Sequence, residues 1–402
     1  LGDVHIGLGD KLNGIEAYKK SIPIAPRFSY PMYYRLALAE YSIGEYSQAL
    51  KHIRKYLTFK NTSEKHRKKA LAIKKSCEFS ISAMKSPVSF NPENLGASIN
   101  SNADEYLPAL SADGSTLIFT RSENVNGTRN EDFYLSYHNT DEWSLAENLG
   151  KPINTLQNEG AQCITADGKT LYFTACSRTD SYGRCDIYTS NFINNTWTEP
   201  ENIGSNINTE HWESRPAISA DGRQLFFVSN KPGGQGGKDI WVSTKEEDGS
   251  WGKPKNIGAD INTSGDESSV FIHPNGKTLF FSSEGHPEKN MGGFDVFRSD
   301  FKDGKWSIPE NLGFPINSHR DEKEIIISTD GQVGWLTSRR GIDKKDFDIY
   351  ELDLKHYNVL TGETQKLGIL KGTVEDKATG KLLNAEIKVT DMLTREKKLL
   401  NT

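Results

Sequence analysis

The sequence predicts a mainly β fold: a five-bladed β-propeller preceded by an α-helical segment and followed by the start of a small β-sandwich. Three markers that recur in phase predict the propeller. Asn-(Leu/Ile)-Gly begins at Asn94, Asn148, Asn202, Asn256 and Asn311, in steps of 54, 54, 54 and 55. A turn pair keeps step at Asp113-Gly114, Asp167-Gly168, Asp221-Gly222, Asn275-Gly276 and Asp330-Gly331. An acid followed by two strand formers recurs at Asp132, Asp186, Asp239, Asp295 and Asp348. A fixed period of this length marks a repeat architecture.

Residues 1–86 read as helices. Gly9, Gly14, Ala17 and Tyr18 in a first unit parallel Gly44, Ala49 and Leu50 in a second, Gly9 to Gly44 and Gly14 to Ala49 at a shift of 35, and Pro26 ends the first unit. The run from Tyr34 to Leu50 alternates small and large residues, so that paired helices can approach and aromatics fill the gaps. This resembles the tetratricopeptide repeat, with a closing helix at about Ser63 to Met84.

Residues 87–362 hold the repeats. In the second copy, Gly160–Thr165 is a short run of small and apolar residues. Asp167-Gly168 is a tight turn, and Leu171–Thr174 is rich in strand formers. Asp186–Ser190 is a third strand, and a turn at Asn194-Asn195 leads to a fourth around Trp197. Four short antiparallel strands with hairpin-length connections make a propeller blade, not a coil of a parallel solenoid. Five sets of first-to-third strands begin near Glu105, Glu159, Glu213, Glu267 and Glu322. The fourth strands are offset, one preceding the first set at about 88–95 and none following the last. The N-terminal strand is therefore expected to complete the last blade and close the ring. Glu159–Phe173 and Glu213–Phe227 resemble the TolB-type propeller repeat. Blade five departs from it at Gly334-Trp335-Leu336, and is either distorted or closed differently.

Residues 363–402 change character. Leu370 to Asp391 alternates strand, turn and strand, with the turn at Thr379-Gly380. It resembles the opening of a carboxypeptidase-regulatory-like sandwich. The chain begins inside a helical pattern and ends inside this half-domain, so both ends read as cut.

Tetratricopeptide helices, TolB-like propeller and regulatory-like sandwich, in that order, resemble the OmpA-family envelope proteins of the Bacteroidetes, including the PorE-like proteins of type IX secretion. The resemblance implies a periplasmic lipoprotein attached to the outer membrane. It also implies an outer-membrane barrel partner of the PorP/SprF type, other secretion or gliding components, and peptidoglycan held by an OmpA-like domain beyond this chain.

Charge is unevenly spread. Residues 1–86 carry 16 Lys/Arg against 7 Asp/Glu, a surplus of +9, and the chain total of −5 leaves −14 for the remainder. The cluster Lys65, Arg67, Lys68, Lys69, Lys74 and Lys75 lies on one helix. It reads first as a solvated face and second as a surface for an acidic partner or anionic head groups. The propeller is acidic and lacks a basic aromatic stripe, which argues against nucleic-acid binding.

Glu105, Glu159, Glu213, Glu267 and Glu322 open the innermost strands and could ring one mouth of the central channel. A Ca²⁺ site and a glycosidase pair are weighed against a structural role, in which each accepts hydrogen bonds from loop backbone or pairs with a neighbouring blade. The structural role is preferred, because an acid/base pair needs two unlike environments and a symmetric repeat supplies one. The Asp of each Asp-Ile-Tyr-type triplet reads as a local turn former. No metal, cofactor or nucleophile motif is read from the sequence. Cys77 and Cys163 read as buried thiols. Cys176 and Cys185 flank one hairpin loop and can pair as a disulfide. The favoured function is a non-enzymatic scaffold, and the alternatives are a propeller glycosidase-like or peptidase-accessory domain and a ligand sensor using the channel mouth.

Overall fold

The computed structural model describes residues 1–24, 30–60, 62–111, 113–125, 127–139, 142–339 and 346–355. Towards the C-terminus it describes 374, 376, 377, 379, 381, 383, 386–390 and 397–401. Pro26 and much of the expected sandwich lie outside the described residues. The chain divides into two compact units, Leu1–Leu367 and Gly368–Thr402.

The first unit begins with five helices: α1 (Gly2–Gly7), α2 (Lys11–Ser21), α3 (Tyr30–Tyr41), α4 (Tyr46–Leu57) and α5 (Glu64–Lys85). Asp10 caps α2 by accepting from Asn13 N–H, and Ser63 caps α5 by accepting from His66 N–H. Small residues set the spacing. A Cβ on Gly14 would lie 2.6 Å from Ile6, and Ala37, Ala49 and Ala70 are fully buried. No described helix is long and apolar enough to cross a membrane.

Five antiparallel sheets follow. Their inner strands are Asp104–Leu110, Glu159–Ile164, Glu213–Ile218, Glu267–Ile272 and Glu322–Ile327. In each sheet the inner, second and third strands are sequential hairpins. At the Asp167-Gly168 turn, Gly168 takes φ +70, while Asp167 accepts from Lys169 N–H and the Thr165 hydroxyl. Sheets pack face to face through alternate apolar residues. Phe226, Val228 and Ile240 of the third blade meet Val270, Phe281 and Phe297 of the fourth.

The ring closes as the offset count predicts. Glu93–Asn94 pairs with the third strand of blade five, Glu93 opposite Glu351 and Asn94 opposite Tyr350. Blade five is not distorted. Val333–Ser338 is a regular strand, and Gly334 stands where a Cβ would meet Leu354 at 3.0 Å and Ile327 at 3.2 Å.

The fourth strand differs from the expectation. The Trp197 segment pairs only with the tip of the third strand, at Phe192 and Ile193. The outer ladder resumes at Glu201–Asn202, opposite Thr189 and Tyr188. Pro200 lies between the two pieces and has no N–H to donate to a ladder. The Asn-(Leu/Ile)-Gly marker, not the Trp, carries the main outer strand.

The helices pack on the fourth blade. Tyr41 donates to the Asn290 side chain at 3.1 Å, Tyr46 to Met291 O at 2.8 Å and Ser76 to Pro287 O at 2.8 Å. Lys75 pairs with Glu288. Around these bonds Tyr41, Tyr46, Ala49 and Cys77 enclose Met291 in one apolar cluster.

In the second unit Glu386–Thr390 pairs with Lys397–Asn401. Backbone bonds from Asp376 to Lys381 and from Leu383 to Val374 bracket the expected turn, of which Gly380 lies outside the described residues.

Candidate functional site

The repeated polar residues tie blades together. The side-chain amides of Asn100, Asn154, Asn208, Asn262 and Asn317 each bond both backbone groups of one third-strand residue. Those residues are Ile349, Phe133, Ile187, Ile240 and Val296, at 2.8–3.0 Å. An Asn side chain thus substitutes for a strand neighbour. The Asn of the first marker donates to the triplet Asp in four copies: Asn94 to Asp348, Asn148 to Asp132, Asn202 to Asp186 and Asn311 to Asp295. In three copies the triplet Asp also accepts from its own loop: Asp186 from Tyr182 and Gly183 N–H, Asp239 from Gln235 and Gly236 N–H, and Asp295 from Met291 N–H.

Glu105, Glu159, Glu213, Glu267 and Glu322 are all 0 % exposed. Each accepts twice from the residue four positions earlier. Ser101, Thr155, Thr209, Thr263 and Ser318 donate their backbone N–H at 2.8–3.2 Å and their hydroxyl at 2.6–2.8 Å. Arg121 and Arg178 add ion pairs to Glu105 and Glu159, while Ser229 and Ser283 donate to Glu213 and Glu267. Burial raises the carboxyls of Glu105 and Glu159 above the usual range and pushes Glu267 up to about 7. These carboxylates do not open onto the channel. They bind the entering loop to the inner strand.

Beside them runs a second series. Arg121 lies 4.1 Å over the Tyr134 ring, Arg178 5.2 Å over Tyr188 and Lys231 4.3 Å over Trp241, and His286 stands 4.8 Å from Phe297. Burial lowers the Lys231 ammonium to about 8.

Cys176 and Cys185 are register partners at the mouth of one hairpin, and their Sγ atoms are joined at 2.04 Å. Cys77 and Cys163 are free, with burial pushing both thiols up to about 12. Among the described residues no group of three His, Cys, Asp or Glu could hold a metal.

The channel itself is walled by the residues just after the repeated Glu: Tyr106-Leu107, Gly160-Ala161, Ser214-Arg215 and Lys323-Glu324. Here the inner strands bulge, and Leu107, Ala161 and Arg215 take φ near +56. The bulge turns these side chains inward around a cavity of about 360 Å³. Arg129, Glu131, Arg339 and Phe347 complete its charged wall. The symmetry of the repeat ends here. Glu131 accepts from the Tyr106 hydroxyl. Glu324 is 7 % exposed, and burial pushes its carboxyl up to about 8 against the pull of Arg215, 4.0 Å away.

Fold and site thus define a five-bladed β-propeller with a docked helical cap and an asymmetric charged channel. No protein-family model matches the chain, and no curated protein sequence matches it. Solved structures similar to it include TolB from Acinetobacter baumannii, at 16 % identity over 73 % of this chain and 70 % of that one, with a TM-score of 0.41. The putative TolB from Agrobacterium tumefaciens is 14 % identical over 78 % and 89 %, with a TM-score of 0.40. A glycosyl hydrolase from Bacteroides ovatus is 11 % identical over 67 % and 95 %, with a TM-score of 0.42.

Proposed function

We propose that the chain is a non-enzymatic periplasmic scaffold. It docks an outer-membrane assembly of the type IX secretion or gliding kind, through a PorP/SprF-type barrel, and links it to peptidoglycan through an OmpA-like domain beyond this chain. The observation that carries the reading is a basic groove on the helices. Lys19, Lys51, Arg54 and Lys55 rim it, Ile22, Tyr33 and Leu36 form its floor, and it encloses about 610 Å³. Apolar floor and cationic rim suit an acidic segment with an apolar anchor. The groove is held in place because α3, α4 and α5 bond directly to blade four. Tagged full-length protein is purified from detergent-solubilised outer membranes, beside a version lacking residues 1–86 and a Lys51→Glu/Lys55→Glu variant. Loss of the same membrane proteins from both altered forms supports the scaffold. An unchanged set of co-purifying proteins sinks it.

A second reading, a glycoside hydrolase, is favoured by one observation. Glu131 and Glu324 line one cavity in unlike environments, as an acid/base pair requires. Hydrolysis of a glycoside by the isolated protein that disappears in Glu324→Gln would replace the scaffold with this enzyme.

A further inference from the structure

The channel wall carries more positive charge than its own carboxylates answer. Four cations face the cavity: Arg129, Arg215, Lys323 and Arg339. Among the described residues only Arg129 is closely paired, with Asp104 at 2.9 Å. Arg339 reaches Asp104 only at 3.9 Å and lies 4.0 Å over the Phe347 ring. Lys323 lies 5.2 Å over the same ring. An aromatic face holds a cation without neutralising it. Arg215 stands 4.0 Å from Glu324, beyond hydrogen-bond reach.

A second observation is independent of charge. Three buried polar atoms in this wall, Glu324 Oε2, Thr337 Oγ1 and Arg339 Nε, have no hydrogen-bond partner among the described residues. Buried polar atoms are ordinarily satisfied. Among the described residues one guanidinium donor, one hydroxyl and one carboxyl oxygen without partners thus belong to the wall of a single cavity.

We propose that the central cavity binds a small polycarboxylate, gripped by Arg215, Lys323 and Arg339 and hydrogen-bonded by Glu324 and Thr337. The gripping cations come from blades three and five, and Arg129 of blade one adds its charge from a further wall, so positive charge is spread around the cavity. Carboxylates distributed along a carbon skeleton reach several of them, whereas a compact phosphate reaches one side. At about 30 Å³ per water, the cavity holds a ligand of roughly a dozen non-hydrogen atoms. Guanidinium forks match carboxylates two bonds at a time. The low-dielectric walls focus the field. Glu324 favours the anion in its protonated form, as a donor. The other charged or titratable groups of the wall are Arg129, Glu131, Arg215, Lys323, Arg339 and Tyr106. This inference does not rest on the scaffold reading.

The test is calorimetric titration of the full chain with citrate, tartrate, acetate and inorganic phosphate, at neutral pH and about 150 mM salt. Citrate should bind with a Kd of about 1 mM or tighter, tartrate more weakly, and acetate and phosphate more weakly still. Arg215→Gln and Lys323→Gln should each weaken citrate about tenfold with melting temperatures little changed. Two variants on different blades guard against one failing to fold. Raising the pH from 7 to 9 should weaken citrate for the native chain and much less for Glu324→Gln. Citrate weaker than about 10 mM, phosphate tighter than citrate, or equal affinity in folded variants would each overturn the proposal.

Discussion

Glu324 shows what one buried carboxyl does to the pH profile of the whole fold. Its ordinary value is 4.5, and burial pushes it up to about 8 in the folded chain. The folded state therefore keeps a proton that the unfolded state has already released. The stability this contributes is complete below pH 4.5 and is lost as pH rises through 8. Glu324→Gln removes the titration and keeps the shape. The raised carboxyls of Glu105, Glu159, Glu267 and Asp295 remain in both proteins and cancel in the comparison. The variant should melt close to the native chain at pH 5 and above it at pH 9, by the equivalent of about 1–3 kcal/mol. Thermal melts across that range decide it. A difference that does not grow with pH refutes the assignment.

The hairpin between Cys176 and Cys185 shows how one element serves both stability and site. Ser177 N–H bonds Arg184 O just inside the pair, and Cys185 bridges to Trp212 of the next blade. A Cβ on Gly183 would stand 2.1 Å from His211 O, so the loop is pressed against that blade. Cys176 and Trp212 both line the channel. Closing an eight-residue loop should contribute roughly 2–3 kcal/mol by chain entropy. Peptide mapping without reductant should find 176 joined to 185, with Cys77 and Cys163 free. A Cys176→Ser/Cys185→Ser protein should melt lower by that amount. Two free thiols in protein from an oxidising compartment would exclude the bond.

Elements of this kind also show what could be read from the sequence. Blade number and the turn role of the triplet Asp were legible because every copy repeats them, and the closing strand because the fourth-strand marker is offset by one blade. The function of Asn100 and its four counterparts was not. A side chain that imitates a strand leaves no periodic apolar signal, only its own recurrence. The residues of the channel wall were missed for the opposite reason. The wall is made at the positions where the copies disagree: Tyr106-Leu107, Gly160-Ala161, Ser214-Arg215 and Lys323-Glu324. Attention to what repeats discards these residues. The signal available was a charge at one repeat position in two copies, Arg215 and Glu324, where the others have Leu107, Ala161 and Ser269.

At the scale of the molecule, helices and propeller are joined by the same few residues that close the ring. α5 ends at Lys85, and Val88 N–H already bonds Phe314 O of the fourth blade's exit loop at 2.7 Å. Val88 and Phe90 pack with Leu312, Leu336 and Leu354. Asn94 then reaches Asp348 and Asn100, which in turn grips Ile349. Nine residues thus supply the outer strand of blade five, cover an apolar edge and fix the first blade to the last. Removing residues 1–86 uncovers Met291 and Phe314, at a cost of about 1–3 kcal/mol for each apolar side chain returned to water. The ring stays shut. Removing residues 1–95 also strips the closing strand and leaves the third strand of blade five an unpaired edge. The shorter deletion should lower the melting temperature but keep one cooperative transition. The longer one should lose that transition and aggregate on heating. Calorimetry on the two truncated proteins distinguishes them. If both melt alike, residues 87–95 do not close the ring in solution.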